Sequence, residues 1–272
     1  MDSRTIKIKE KWEKLSNDWN RFRTEQIIEK IINEPYSYFR VELQAIFKRF
    51  VGDFADKNVL VIGSGSGRAA FVFHLLGAKV TVSDLSEKQL EYSAEVAKRH
   101  NWDMDFISDD AVTLSKIESD KYDFVYIPNG VMFWINDLQT MYVSIKRVLK
   151  EDGIYMMYDM HPFMPPFEFD NTEKLVLKKD YDAVGPLGDM EVYNWRLQDF
   201  LNAMVSAGLN FVHMEEMKAA YGTFWVDEDK ADAMPKDELT KFYNSKTNPI
   251  YALPQCLSIV ARKSTVYLDL NT

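Results

Sequence analysis

Between residues 59 and 160 the apolar positions switch back and forth between two periods. Short runs of β-branched and aromatic residues at 59–62, 79–83, 104–107, 124–127 and 154–159 predict five strands. Longer stretches between them carry helical spacing. In 137–150, Leu138, Met141, Tyr142, Ile145, Val148 and Leu149 fall on one stripe, and Asp152-Gly153 is expected to turn the chain into the fifth strand. Ser86-Glu87-Lys88-Gln89 has the form of a capping box, with Leu90, Ala94 and Ala97 following on one face. Strands that alternate with helices at this spacing predict right-handed crossovers and a parallel, doubly wound α/β sheet. Such sheets bind ligands beyond the carboxyl ends of their strands.

Outside this core the pattern changes. Residues 1–50 read as a helical cap rich in aromatics, among them Trp12, Trp19, Phe22, Tyr36, Tyr38 and Phe39. Residues 51–272 read as the main domain, interrupted by long connections at about 160–192 and 220–254. A helix starting near Trp195 and strands at 211–215 and 256–262 follow the first connection and flank the second. If the sixth strand runs parallel to the core, both connections leave from carboxyl strand ends and are candidates for a lid and a substrate pocket.

Composition narrows the classes. The chain has 272 residues, 46% of them apolar, which suits one large domain or a domain with a cap. Its net charge of -9, with no run of basic residues, argues against nucleic acid as a partner. The lone Cys256 excludes an internal disulfide and reads as a small buried hydrophobe on a strand. His74, His100, His161 and His213 are too scattered for a dedicated metal site. Neither a signal peptide nor a membrane span is visible, so a soluble, cytoplasmic protein that does not enter membranes is expected.

The chemistry starts at Val59-Leu-Val-Ile-Gly63-Ser64-Gly65-Ser66-Gly67-Arg68, a strand that breaks into alternating glycines. A dinucleotide loop wants a small residue where Arg68 stands, so that its helix can pack close to the pyrophosphate. Asp84, about 20 residues on at the end of the second strand, is placed to accept the hydroxyls of a ribose. That pattern suits an adenosine-containing ligand, either a dinucleotide or S-adenosylmethionine. The acidic pair Asp109-Asp110 follows the third strand, where an adenine amino group could donate to it.

Taken in order, the glycine loop, Gly77-Ala-Lys-Val-Thr-Val-Ser-Asp84-Leu85-Ser86, Asp110-Ala111, Tyr122-Asp-Phe-Val-Tyr-Ile-Pro-Asn129-Gly130-Val131 and Arg147-Val-Leu-Lys-Glu-Asp-Gly153 resemble a class I S-adenosylmethionine-dependent methyltransferase. The resemblance spans residues 55–160 and returns at 208–263. It implies a mostly parallel seven-stranded sheet with the last strand antiparallel and helices on both faces. It further implies that Gly63, Ser64, Gly65 and Gly67 form the seat of the methionine end, that Asp84 takes the ribose, and that Leu85 covers the adenine. Asp110 and Ala111 would meet the adenine edge, and Asn129 and Gly130 would pass near the sulfonium. One position departs from the family pattern. Many relatives are acidic two residues before the first glycine, where this chain has Val61, so the cofactor's amino end is left to another group, either the carbonyls of Gly63 and Asn129 or an aromatic from residues 1–50.

Methyl transfer needs donor and acceptor held in line in a dry pocket, and ring faces tolerate the cation while excluding water. Phe163, Phe167, Phe169, Tyr193, Trp195, Tyr221, Phe224 and Trp225 supply rings outside the core, and Trp134 lies where relatives place residues between cofactor and substrate. Trp134, Phe163, Tyr193 and Trp225 are therefore candidates for the pocket of a small-molecule acceptor, and the rings could equally form the lid's own core. Glu168, Asp170, Glu191 and Glu215-Glu216 are either polar pocket groups or ordinary surface. His161, just past the fifth strand, is either a general base or a histidine that fixes its loop. Two other classes remain open. A nicotinamide oxidoreductase is disfavoured by Arg68 and Asp110, and a non-catalytic protein that kept the fold is removed only by turnover.

Overall fold

A computed structural model describes residues 2–16, 23–169, 174–220, 224–225 and 233–263. Trp19, Phe22, Asp170 and Tyr221 lie outside the described residues. The strands are β1 (Asn58–Ile62), β2 (Lys79–Asp84), β3 (Met104–Ser108), β4 (Tyr122–Ile127), β5 (Leu149–Met160), β6 (Leu209–Met217) and β7 (Cys256–Lys263). They form one sheet in the order β3-β2-β1-β4-β5-β7-β6. The first five strands run parallel to one another, and β7 runs antiparallel between β5 and β6. Strand order reverses between β1 and β4, which opens a crevice beyond their carboxyl ends.

The helices are α1 (Ser3–Leu15), α2 (Glu25–Asn33), α3 (Val41–Phe50), α4 (Arg68–Leu75), α5 (Glu87–Arg99), α6 (Leu138–Val148), α7 (Leu197–Ser206) and α8 (Lys236–Lys241). Alternation along β1 divides the core. Val59 and Val61 face one cluster, which α2, α3, α4 and α5 cover. Leu60 and Ile62 face the other, which α6 and α7 cover. Phe47 of α3 is fully buried among Phe39, Phe54, Phe73, Phe124 and Tyr126, so much of the segment read as a cap completes the main core. No described helix is long and apolar enough to cross a membrane.

Local chemistry accounts for the boundaries. Ser86 caps α5 by accepting from the Gln89 N–H, and Asp137 caps α6 by accepting from the Thr140 N–H. The fifth strand begins earlier than its apolar pattern suggests. Leu149 leaves the helical stripe and opens β5, and Asp152, at φ 60°, accommodates a register shift against β4. β6 runs parallel to the core, so the connections after β5 and β6 both leave from carboxyl strand ends. Cys256 is buried on β7 as expected.

Candidate active site

The glycine loop turns sharply as β1 ends. Gly63, Gly65 and Gly67 all have positive φ. A Cβ at Gly63 would lie 2.6 Å from a methyl of Val131, and one at Gly67 would lie 2.7 Å from the Phe71 ring, so neither position admits a side chain. Arg68 then starts α4 with Nε donating to Ser66 Oγ and its guanidinium over the Tyr38 ring.

Asp84 ties this loop to the next. Its Oδ2 accepts from Gly65 N and its Oδ1 from Ser86 N, both at 2.9 Å. Burial pushes its pKa up, against the pull of these backbone donors. The acidic pair after β3 divides its work. Asp109 accepts from Asp110 N, Ser115 Oγ and Lys116 N and holds its own loop. Among the described residues Asp110 accepts only from Val112 N, and burial raises its pKa.

These loops enclose a cavity of about 370 Å³. It is lined by Gly63, Gly65, Asp84, Leu85, Asp110, Ala111, Asn129 and Gly130, eight of the ten positions expected for the cofactor. Ser64 and Gly67 do not line it, and Ser64 Oγ is buried without a partner among the described residues. Val61 lies in the core on the other side of β1, so its apolar character serves packing. Of one wall, only an aromatic from residues 1–50 was expected. Arg4, Thr5, Ile8 and Trp12 of α1 close over the cavity, and the i, i+4, i+8 spacing of Arg4, Ile8 and Trp12 was the available signal. Arg4 is 7% exposed, donates to the carbonyls of Trp134 (2.8 Å) and Glu191 (3.0 Å), and stands over the Tyr193 ring.

A second cavity of about 410 Å³ lies beyond Asn129, Gly130 and Phe133, which line both. Its own walls include Tyr193, Trp195, Phe169, Met160 and Lys178. Tyr193 is stacked on Trp195 at 5.0 Å. Between the cavities the chain is clamped by Asp159, at the end of β5. Its Oδ1 accepts from Gly130 N (2.9 Å) and Met160 N (2.7 Å), and its Oδ2 from Met132 N (2.9 Å) and Val131 N (3.2 Å). Burial raises the pKa of this carboxyl, and the four donors oppose that rise. An acidic residue closing an apolar strand was the sequence signal for this clamp.

The remaining candidates are distributed differently. Of the four aromatic candidates, Tyr193 alone lines the second cavity. Trp134 lines the first, edge-on to Trp12 at 5.7 Å. Phe163 lines neither cavity and packs on His161 and Tyr181, while Trp225 packs on Phe169 behind the second cavity. His161 also lines neither. Its ring is fully buried, Nδ1 accepts from Phe163 N at 3.1 Å, and Nε2 is 2.8 Å from Glu216. An accepting Nδ1 leaves the proton on Nε2, which donates to Glu216. Both nitrogens are engaged away from the cavities, as the loop-fixing alternative for this histidine expects. Of the acidic residues considered for the pocket, Glu216 serves His161, Glu215 pairs with His213, and Glu191 offers its carbonyl to Arg4. Glu168 forms a backbone bond to Val176.

Comparison with known proteins agrees with this geometry. Residues 59–153 match the model of a methyltransferase domain family. The chain is 25% identical to the protein of Bacillus subtilis (strain 168) named Uncharacterized methyltransferase YbaJ, over 66% of this chain and 71% of that one. It is 38% identical to the Ribosomal protein L11 methyltransferase of Dictyoglomus thermophilum over 36% of this chain and 31% of that one. The fold is similar to the crystal structure of an S-adenosylmethionine-dependent methyltransferase from Mesorhizobium loti, with a TM-score of 0.60 and 18% identity over 80% of this chain and 96% of that one. Residues 59–153 thus match a methyltransferase domain, and the glycine loop, the strand order and these relatives make the chain similar to class I, Rossmann-like methyltransferases whose cofactor is S-adenosyl-L-methionine.

Proposed function

We propose that the protein transfers the sulfonium methyl group of S-adenosylmethionine to a small-molecule acceptor held in the second cavity. The observation that carries this reading is the shared wall. Asn129, Gly130 and Phe133 line both cavities, so a donor seated in one and an acceptor in the other meet across a few residues. Held by the first cavity, S-adenosylmethionine would supply an electrophilic methyl, its S–CH3 electron pair staying on sulfur while the acceptor gained the methyl and released its proton to solvent.

The chain's own residues bind and orient. Asp84 and Asp110 each retain acceptor capacity facing the first cavity, which suits ribose hydroxyls and an adenine amino group. Leu85 and Ala111 supply apolar contact for the base. Gly63 and Gly65 admit the methionine end closely, and a Cβ at Gly65 would meet open space there. The carbonyls of Gly63 and Asn129 would take the amino group in place of the acidic side chain that Val61 replaces. Asp84, Asp109 and Asp110 also favour a ligand with net positive charge. The helix α1 closes the cavity and keeps water from the sulfonium. The aromatic second cavity is sized for a small molecule, and the free, buried Cys256 suits a cytoplasmic protein.

Calorimetry with S-adenosylmethionine, S-adenosylhomocysteine and NADH tests the cofactor assignment, and homocysteine release across an acceptor panel tests turnover. Binding of both adenosyl ligands and turnover of a small molecule are expected. Selective binding of NADH would sink the cofactor assignment, and turnover only with protein acceptors would sink the small-molecule one.

A further inference from the structure

The second cavity holds an electrostatic asymmetry that the methyl-transfer chemistry does not require. Its ionisable walls are Asp159, Lys178 and Lys179, and both oxygens of Asp159 are engaged by backbone N–H groups. Two adjacent ammonium groups are left. Lys179 Nζ donates to the Ala183 carbonyl at 2.6 Å, and Lys178 Nζ stands 5.4 Å from the centre of the Phe169 ring. Neither meets a carboxylate among the described residues.

Lys218 likewise donates to carbonyls, those of Tyr251 and Leu253, whereas other lysines of this acidic chain are paired. Lys9, Lys121, Lys150 and Lys263 each reach a carboxylate. Burial lowers the pKa of Lys179, and the nearby Lys178 ammonium lowers it further. The two lysines line the second cavity alone, whereas Phe133, Asn129 and Gly130 line both. The cationic part of the cavity is therefore set apart from the wall where the methyl would arrive, and aromatic surface lies with it.

We propose that the acceptor is an amphipathic anion, with an apolar or aromatic body on Phe133, Phe169 and Tyr193 and a carboxylate or phosphate group bound by Lys178 and Lys179. This rests on the reading of the second cavity as the acceptor site. The anion anchors the molecule at one end, and the apolar body carries the nucleophilic atom toward the shared wall. Charge-assisted bonds to two ammonium groups give an affinity that falls with salt.

The test titrates the full chain, loaded with S-adenosylhomocysteine, with matched probes. These are 1-naphthylacetate against 1-naphthylacetamide and 1-naphthyl phosphate against 1-naphthol. The charged member of at least one pair is expected to bind about tenfold tighter or more at low salt. The pair showing the larger preference says which anion the site takes. In the double variant Lys178→Gln/Lys179→Gln that preference should vanish while S-adenosylhomocysteine affinity stays within about twofold of the parent. Equal binding of charged and neutral probes, no binding of either anion, or a preference that survives in the double variant would overturn the proposal. The same titrations keep the two readings apart: failure to bind S-adenosylhomocysteine removes the cofactor reading, while normal cofactor binding without an anion preference removes this one alone.

Discussion

The two cavities on either side of residues 129–133 are built from opposite charges. The first is walled by Asp84, Asp109 and Asp110 with Arg4 as the one cation among the described residues, and the second by Lys178 and Lys179 with an Asp159 whose oxygens are taken. Their construction differs as well. Strand-end loops of the parallel sheet form most of the first, while the connection after β5 forms much of the second. A sheet end fixes its loops by register, so the cofactor side is set by the fold. The second cavity is set largely by a connection outside the sheet, where sequence can vary without disturbing the core.

Removing the partition should have the largest effect. Asp159→Ala strips four backbone N–H groups of their acceptor, each worth about 1–3 kcal/mol when left buried. Turnover is expected to fall at least about a hundredfold and the thermal midpoint by several degrees, read by scanning calorimetry beside an activity assay. Unchanged stability would show that the loop holds itself. Asp84→Ala comes next and touches one cavity only. Losing hydrogen bonds to a carboxylate costs about 2–3 kcal/mol, a loss of roughly a hundredfold in S-adenosylhomocysteine affinity by calorimetry. In the parent protein that affinity should decline on acidification at a higher pH than an ordinary aspartate would impose, because burial raises the Asp84 pKa and protonation removes an acceptor.

Arg4→Ala probes the wall that α1 forms. Two hydrogen bonds to carbonyls hold α1 across the first cavity, and their loss should speed S-adenosylhomocysteine release by about tenfold in stopped flow. A rate equal to the parent's would mean that α1 does not hold the cofactor in. The smallest effect belongs to His161→Gln, with turnover expected within about twofold of the parent. Burial holds the His161 pKa below the ordinary value of about 6.5, against the opposing pull of Glu216. The unfolded chain therefore takes up this proton first, and stability is lost as pH falls from about 6.5 through the folded value. The variant should lose less stability than the parent between neutral and mildly acidic pH, measured by denaturant titration. A large fall in turnover with intact folding would return His161 to the chemistry.

Much of the cofactor side was legible because its residues obey short-range rules. Positive φ at the loop demands glycine, and a strand end places Asp84 wherever the strand stops. The acceptor side was less legible. Tyr193 was singled out with Trp134, Phe163 and Trp225, but a ring outside the core can turn toward a cavity, toward another cavity or toward its own loop. Only the tertiary fold decides among these. Asp159 was passed over in favour of its neighbour His161, since residue type suggests chemistry while the clamp depends on where four N–H groups converge. Arg4, Thr5 and Ile8 escaped as parts of a cavity wall because a helix face does not declare what it packs against. Leu149 shows the same limit on a smaller scale, fitting the stripe of α6 while pairing in β5.

The wall at Asn129, Gly130 and Phe133 has a thermodynamic consequence. A ligand on one side constrains residues that the other ligand also touches, so the two binding free energies are coupled, and linkage makes the coupling reciprocal. Whatever factor S-adenosylhomocysteine adds to acceptor affinity, the acceptor adds to S-adenosylhomocysteine. With positive coupling, a methylated product slow to leave would hold the spent cofactor in place, and the order of departure would set the turnover rate.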